Sequence, residues 1–154
     1  MHVVLVEPEI PQNTGNIGRT CAATHSTLHL VEPLGFSLED RYLRRAGLDY
    51  WESLDVRVHK SLEEVWSAYA GHRFLYASSH ATQSYNDVAY QSDDLLVFGK
   101  ETAGLPAKLL EEHSAYTVTI PIAADARSLN LANAVAVVLF EAYRQLGFPY
   151  LADE

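Results

Sequence analysis

Short apolar runs alternate with longer amphipathic stretches along the whole of this chain. The runs are continuous and end near proline, glycine or polar residues, which is typical of strands buried on both faces of a parallel sheet. Six strands are predicted, at residues 2–7, 27–31, 55–58, 73–77, 95–98 and 116–120. Helices are predicted between them, beginning at Asn13, Ser37, Ser61, Pro106 and either Ser128 or Asn130. This order predicts an α/β fold, a parallel sheet flanked by helices.

The strand at 95–98 leads into a loop that two glycines bracket, Gly99 and Gly104. At the carboxyl end of a strand in an open α/β sheet, such a loop is where a ligand binds. Glycines let backbone N–H and C=O groups approach that ligand closely. Glu101 is the one carboxylate of the loop. If this loop is considered alone, an ordinary strand-to-helix turn with a surface glutamate explains the pattern about as well as a ligand-binding loop does.

Two further loops have unusual polar content. Asn13 is predicted to cap the helix that begins there, and Arg19 follows in its first turns. The glycines nearby lack the G-x-G-x-x-G spacing of a dinucleotide-binding loop, which disfavours that alternative. The third loop, at 120–130, leads into the last helix, which ends at Gly147 and is apolar over more than one face. Such a helix is covered on both sides, by its own domain or by a second subunit.

Composition and charge narrow the classes of function. Of 154 residues, 48% are hydrophobic and 20% charged, and the net charge of −9 taken alone weighs against binding a polyanion. One cluster departs from that balance, because Arg41, Arg44 and Arg45 share a helix face beside aromatic residues. Arginines interleaved with aromatic rings suit phosphate contact and base stacking. The alternative is a basic last turn that complements the helix dipole.

Cysteine and histidine usage argues against a metal site. The single cysteine, Cys21, excludes an intrachain disulfide and a multi-cysteine site, and the seven histidines show no ligand spacing. Residues 2–7 lack the basic segment of a signal peptide, and no apolar run approaches the roughly 18 residues of a membrane span. We expect a cytoplasmic protein with no metal and no membrane partner.

Quoted together, the three loops resemble the motifs of the SPOUT superfamily of RNA methyltransferases, and the match covers essentially the full length. Residues 13–19 resemble motif 1, residues 98–106 resemble motif 2, and residues 120–131 resemble motif 3. Their order and spacing make the joint match far more specific than any single motif.

Three other stretches, at 7–17, 44–50 and 143–147, are similar to the small members that 2'-O-methylate the wobble nucleotide of tRNA anticodons. Those members consist of the catalytic domain alone, so we expect one domain over residues 1–154 without an RNA-binding extension. The resemblance also implies a C-terminal trefoil knot, S-adenosylmethionine as methyl donor with S-adenosylhomocysteine as product, and a homodimer with composite sites.

The resemblance implies a cofactor cleft at the three loops. Its predicted lining residues are Ala77, Ser78, Gly99, Glu101, Ile120, Ile122, Ser128 and Leu129. Strand-end loops with glycine and isoleucine offer adenine both backbone partners and an apolar slot. Glu101 has two possible roles that remain open: a carboxylate near the cationic sulfonium, or a brace for the loop.

Methyl transfer to a ribose 2'-OH needs the hydroxyl close to the methyl carbon and a way to lose its proton. The family pattern assigns that place to Arg19, with Asn13, Ser128 and Asn130 orienting the arginine or the ribose. A guanidinium is effectively always protonated, so Arg19 as a base and Arg19 as a phosphate contact that lowers the pKa of the hydroxyl both stay open. Ser128 is equally explained as a helix cap.

The predicted partner is a tRNA anticodon stem-loop. The predicted phosphate contacts are Arg41, Arg44, Arg45 and Arg127, with Lys100 as an additional candidate. Two alternatives remain: 2'-O-methylation of another tRNA position or of ribosomal RNA, and a non-catalytic module that binds S-adenosylmethionine or RNA. Arg19→Ala separates enzyme from module, because only an enzyme would lose turnover while still binding cofactor.

Overall fold

A computed structural model describes residues 1–47 and 50–152 of the chain. The strands are His2–Val6 (β1), Thr27–Val31 (β2), Val56–His59 (β3), Phe74–Ala77 (β4), Gln83–Ser84 (β5), Leu95–Phe98 (β6) and Thr117–Thr119 (β7). The helices are Pro11–Ala23 (α1), Arg41–Gly47 (α2), Leu62–Ala68 (α3), Ala107–Glu112 (α4) and Leu131–Leu146 (α5).

The strands form one parallel sheet in the order β3-β2-β1-β6-β4-β7-β5. Val4 of β1 lies opposite His29 of β2 on one side and Val97 of β6 on the other. The first three strands are added in one direction and the later ones in the other, so the order reverses between β1 and β6. In open α/β sheets the ligand crevice lies at such a reversal, outside the carboxyl ends of the strands. The predicted α/β class with a parallel sheet is confirmed.

The two faces of the sheet bury separate apolar clusters. One cluster lies against α1 and α5 and includes Ile17 and Leu139, while the other lies against α3 and α4 and includes Val65 and Leu109. All four residues of β6 are buried, as its continuous apolar run predicts. None of the helices within residues 1–47 and 50–152 is long and apolar enough to cross a membrane.

Two predicted helix starts are wrong. Helix α1 begins at Pro11, with Ile10 at the N-cap, so Asn13 lies inside the first turn and does not cap it. Proline suits this place because the N–H it lacks would have no partner in the helix. Helix α2 begins at Arg41 and not at Ser37, and the Asp40 carboxylate accepts a 2.7 Å hydrogen bond from the N–H of Tyr42.

The start of the last helix agrees with the second of its two predicted positions, Asn130. Asn130 caps α5, because its side-chain oxygen accepts hydrogen bonds from the N–H groups of Ala132 and Asn133 at 2.9 and 3.3 Å. The cap is therefore Asn130 and not Ser128. The helix ends as predicted at Gly147, whose φ of +75° is a left-handed conformation that glycine adopts without strain.

Candidate active site

A cleft of about 640 Å³ opens at the carboxyl edge of the sheet, where the loops after β4, β6 and β7 meet. Every residue predicted to bind the cofactor lines it. These residues are Ala77, Ser78, Gly99, Glu101, Ile120, Ile122, Ser128 and Leu129. Asn13, Asn130 and Arg127 line the same cleft. The structure therefore brings these three loops together with the start of α1, and Asn13 and Asn130 at the two extremes are 117 residues apart.

The loop after β6 can close only because Gly99 has no side chain. A Cβ added there would lie 2.1 Å from the carbonyl carbon of Gly104 and 2.2 Å from the nitrogen of Leu105. Gly104 donates its N–H to the carbonyl of Lys100 at 2.8 Å and has a left-handed φ of +66°. The two glycines thus fold residues 99–104 into a closed loop that faces the cleft.

Glu101 braces that loop against the start of α1. Its carboxylate accepts hydrogen bonds from the backbone N–H groups of Glu9 at 2.8 Å and Ile10 at 3.1 Å. Ile10 is the N-cap and provides no side-chain cap, so the carboxylate also lies at the positive end of the helix. Of the two roles left open for Glu101, these contacts favour the brace.

Two more contacts join the same pair of loops. The Glu9 carboxylate accepts hydrogen bonds from the N–H and the hydroxyl of Thr102 at about 3.0 Å. Lys100 donates to the Glu7 carboxylate at 3.0 Å, which raises the pKa of the lysine. We call the five residues that join the two loops, Glu7, Glu9, Lys100, Glu101 and Thr102, the clasp. Lys100 is thus engaged within the protein.

A pair of asparagines connects the clasp to the third loop. Asn13 is buried; its amide nitrogen donates to Glu101 at 3.4 Å, and its oxygen accepts from the amide nitrogen of Asn130 at 2.9 Å. An ionised carboxylate only accepts, and the oxygen of Asn130 is occupied by the α5 N-terminus. The orientation of both amides is therefore determined by their partners. We call Glu101, Asn13 and Asn130 the motif network, because it joins all three predicted motifs.

Arg19 lies outside the cleft and the motif network. It is exposed on α1, with its guanidinium carbon 5.3 Å from the ring centroid of Tyr50, and it does not line the cleft of its own chain. Ser128, by contrast, is exposed at the cleft. The structure thus brings Asn13, Ser128 and Asn130 together and leaves Arg19 apart from them.

The predicted RNA contacts are divided between two places. Arg41 and Arg45 are exposed on α2, and Arg41 lies over the ring of Tyr42 at 4.8 Å from its centroid. Arg127 is exposed at the cleft. The side chain of Arg44 lies outside the described residues. Within residues 1–47 and 50–152, no group of three or more His, Cys, Asp or Glu side chains is arranged to hold a metal ion.

Sequence reasoning missed the clasp partners Glu7, Glu9 and Thr102. One signal was available, because two acidic residues follow the first strand in a loop next to a proline, where acidic side chains can accept from backbone N–H groups. It could not have identified the partner, which lies 93 residues away along the chain. Tyr50 is one of the aromatic residues near the arginine cluster, and the sequence does not indicate its contact with Arg19.

Comparison with known proteins agrees with the architecture. The family model described as the SpoU rRNA Methylase family matches residues 1–140. The Escherichia coli (strain K12) tRNA (cytidine(34)-2'-O)-methyltransferase is 47% identical over 150 residues, which are 97% of this chain and 96% of that protein.

Two solved structures extend the comparison. One, described as "Structural insights into the 2-OH methylation of C/U34 on tRNA", has a TM-score of 0.91 and 46% identity and covers 95% of both chains. An AdoMet-bound rRNA methyltransferase from Sinorhizobium meliloti has a TM-score of 0.82 and 30% identity, over 94% of this chain and 56% of that one. The resemblance found in the three loops is confirmed: the chain belongs to the SpoU methylase family.

Proposed function

We propose that this chain uses S-adenosylmethionine to methylate the ribose 2'-OH of the wobble nucleotide of tRNA, a cytidine or a modified uridine. The observation that carries the proposal is the near-complete overlap with the structure concerned with 2-OH methylation of C/U34, at 46% identity. The Escherichia coli relative named for that position has the same extent. Membership of a methylase family and a cleft at the carboxyl edge of the sheet support the same reaction.

The residues of the cleft fit the cofactor. A volume of about 640 Å³ lies inside the range of roughly 300–1,000 Å³ that is usual for small-molecule sites. Ile120, Ile122 and Leu129 offer an apolar wall for adenine, and Gly99 leaves backbone groups open to it. When bound, S-adenosylmethionine supplies a methyl group on a cationic sulfonium. Glu101 acts by holding the loops in place.

Arg19 acts as a hydrogen-bond donor and not as a base, because a guanidinium keeps its proton in proteins. Donation to the ribose oxygen or to the adjacent phosphate stabilises the charge that develops on the 2'-oxygen and lowers the pKa of the hydroxyl. The proton then leaves to water or phosphate. Asn13 and Asn130 keep the loops in register, and Ser128 orients the ribose from the rim of the cleft.

We further infer a homodimer in which the partner subunit's Arg19 completes the cleft. Arg19 does not line the cleft of its own chain, so a site that uses it needs a second copy. Val137 and Phe140, three residues apart on the outer face of α5, are 37% and 43% exposed, so two neighbouring large apolar side chains lie at the surface. Both observations support an interface along α5.

Family membership carries further inferences about architecture and location. A trefoil knot in the C-terminal part is compatible with residues 120–131 and the Gly99–Gly104 loop lining the same cleft. The catalytic domain spans residues 1–154 and itself contacts the RNA, and the enzyme works in the cytoplasm.

The anticodon stem-loop is contacted through phosphates by Arg41, Arg45 and Arg127, together with Arg44. Arg41 and Arg45 are exposed on a short helix and Arg127 at the cleft. The net charge of −9 opposes general affinity for RNA. Binding therefore depends on the shape of the loop and weakens steeply as salt increases.

The test is methyl transfer from labelled S-adenosylmethionine to total tRNA from a strain that lacks this gene, followed by nucleoside mass spectrometry of anticodon fragments. A 2'-O-methylated pyrimidine at the wobble position is expected, and methylation at any other position would overturn the proposed substrate. Arg19→Ala should abolish turnover with cofactor affinity retained. Arg57→Ala is the matched control, because that arginine is exposed on β3 and paired with Asp55.

A second candidate is 2'-O-methylation of ribosomal RNA or of another tRNA position. The name of the matched family and the 30% identical Sinorhizobium meliloti rRNA methyltransferase favour it. This chain, however, covers only 56% of that protein and 96% of the tRNA-specific relative. Offering ribosomal RNA from the same strain in parallel decides between the two substrates.

A further inference from the structure

Arg19 differs from the three arginines that pair with carboxylates in the contact that holds it. Arg57, Arg73 and Arg144 each donate two N–H groups to a carboxylate, at 2.6 to 3.1 Å. Such pairing uses the donors that a ligand would need. The Arg19 guanidinium instead lies 5.3 Å from the ring centroid of Tyr50, and no carboxylate pairs with it in the described part of the chain.

A cation over an aromatic ring is attracted by the negative face of the π-system. The attraction restricts where the guanidinium lies but consumes none of its N–H groups. Five donors thus stay available for a phosphate or a ribose oxygen. Among the contacts that could hold an arginine in place, this one suits an arginine that must bind an external ligand.

Tyr50 is itself held against α1 by its neighbour. The ring of Trp51 packs on Gly18, where an added Cβ would lie only 3.0 Å from the ring and 3.1 Å from the side chain of Leu54. Ser53 donates both its N–H and its hydroxyl to the carbonyl of Tyr50, at 3.1 and 2.9 Å. A glycine directly before Arg19 therefore allows a turn to sit close to α1 and to present the Tyr50 ring to the arginine.

We propose that Tyr50 is a positioning residue for the methyl transfer, which orients Arg19 through its ring face. This inference rests on the proposed role of Arg19. An exposed arginine otherwise samples many rotamers, and restricting it before the RNA binds raises the fraction of complexes with correct geometry. Tyr50 touches neither the cleft nor the cofactor in its own chain, so it acts through Arg19.

The test compares Tyr50→Leu with Tyr50→Phe in steady-state and single-turnover methylation of tRNA. Loss of a cation–π contact at an exposed site corresponds to about a two- to fivefold change. We expect Tyr50→Leu to lower kcat by that factor with the KM for tRNA little changed, and Tyr50→Phe to restore it. Cofactor affinity and Tm should stay at wild-type values, which excludes misfolding as the cause.

Tyr116→Leu is the matched control, because Tyr116 is 50% exposed and precedes β7, at the sheet edge opposite the cleft. It should leave kcat unchanged. A raised KM for tRNA with normal kcat in Tyr50→Leu would overturn the inference and make Tyr50 a base-stacking surface. An equal loss in Tyr50→Phe would also overturn it, because the hydroxyl would then be responsible.

Failure of the inference and failure of the proposed function are distinguishable. If Arg19→Ala keeps full turnover, Arg19 has no catalytic role and the proposed function loses its mechanism. If Arg19→Ala loses turnover while Tyr50→Leu keeps the wild-type kcat, only the role of Tyr50 is removed.

Discussion

Two sets of hydrogen-bonded side chains can be compared, the motif network at the cleft and a row of histidines across three strands on the α3 face of the sheet. In the row, His2 lies 3.1 Å from His29, and His29 lies 2.9 Å from His59, each distance joining ring nitrogens. These histidines come from β1, β2 and β3. Both sets join segments that are remote in sequence. They differ in charge, because the histidine rings are neutral and the motif network contains the carboxylate of Glu101.

The histidine row is neutral. Burial lowers the pKa of His2 to about 4 and that of His29 to about 3, with further lowering from neighbouring positive groups, including Arg57. Each ring can therefore donate through one nitrogen and accept through the other. Two of the three ring N–H groups are used within the row, and the third lies at one of its two ends.

The motif network begins at a carboxylate and ends at a helix N-terminus. Glu101 accepts from two backbone N–H groups, and Asn130 accepts from two more at α5. Strongly shifted pKa values often mark active sites, and here they mark a packed structural row. The comparison favours the connection between loops, and not the pKa shift, as the mark of the candidate functional network.

Gly99→Ala should have the largest effect, because it disrupts the loop on which the motif network depends. The new methyl group would lie 2.1 Å from the backbone of Gly104, so the loop must open. Overpacking of this kind costs about 1–3 kcal/mol, and we expect cofactor affinity to fall at least about tenfold by calorimetry.

Gly104→Asn is the control for that variant. Nothing lies within 4 Å of an added Cβ there, and asparagine tolerates the left-handed φ of +66°. Its loss of cofactor affinity should be much smaller. Equal losses in the two variants would mean that the loop, and not the close approach at Gly99, is sensitive to substitution.

Glu101→Gln should have the second-largest effect. An amide has one acceptor oxygen and one NH2 donor. The new NH2 group of Gln would therefore face another donor, either a backbone N–H group or the amide nitrogen of Asn13. Hydrogen bonds to a charged group contribute about 1.5–3 kcal/mol, and we expect a loss of about 2 kcal/mol in urea unfolding together with reduced methylation. Glu111→Gln, at an exposed position of α4, should change the free energy of unfolding by less than about 0.5 kcal/mol.

The histidine row should respond to pH. The pKa of His29 is lower in the folded state than in the unfolded chain, so its neutral form stabilises the fold above pH 6.5, and that stability is lost as the pH falls toward 3. For this fully buried side chain the loss between pH 7 and pH 5 is about 2 kcal/mol. His29→Leu should flatten the dependence of urea unfolding on pH, and an unchanged slope would contradict the assignment.

The strands were largely predictable because each is a continuous apolar run, and the burial of all of β6 agrees with that pattern. Strand β5, at Gln83–Ser84, was missed because two polar residues carry no such signal. The starts of α1 and α2 were misplaced because capping residues are common in turns as well. In each case the misplaced start was a polar residue near the real one.

For the cleft, the lining residues were predictable but the contacts that hold its loops together were not. Its lining residues follow from motifs that the chain shares with a family, and all eight line one cleft. The clasp was not predictable, because Glu9 and Thr102 are 93 residues apart and only the parallel pairing of β1 with β6 brings their loops together. The orientation of Arg19 depends likewise on a ring 31 residues further along the chain.

The smallest effect, at Asn130, separates the structural role of the motif network from its functional one. Asn130→Ala removes the cap of α5 and should lower the free energy of unfolding by about 1 kcal/mol. Asn130→Asp keeps an oxygen for the N–H groups of Ala132 and Asn133, so thermal unfolding should recover the part of the loss that comes from the cap.

A carboxylate at position 130 cannot donate to the side-chain oxygen of Asn13, which lies 2.9 Å from the present donor. The two acceptors would repel, Asn13 would lose its determined orientation, and its hydrogen bond to Glu101 would weaken. Asn130→Asp should therefore restore the helix cap without restoring methylation. If this variant recovers both the cap and methylation, α5 needs only its cap. The direction of the hydrogen bonds that join the three loops then has no part in catalysis.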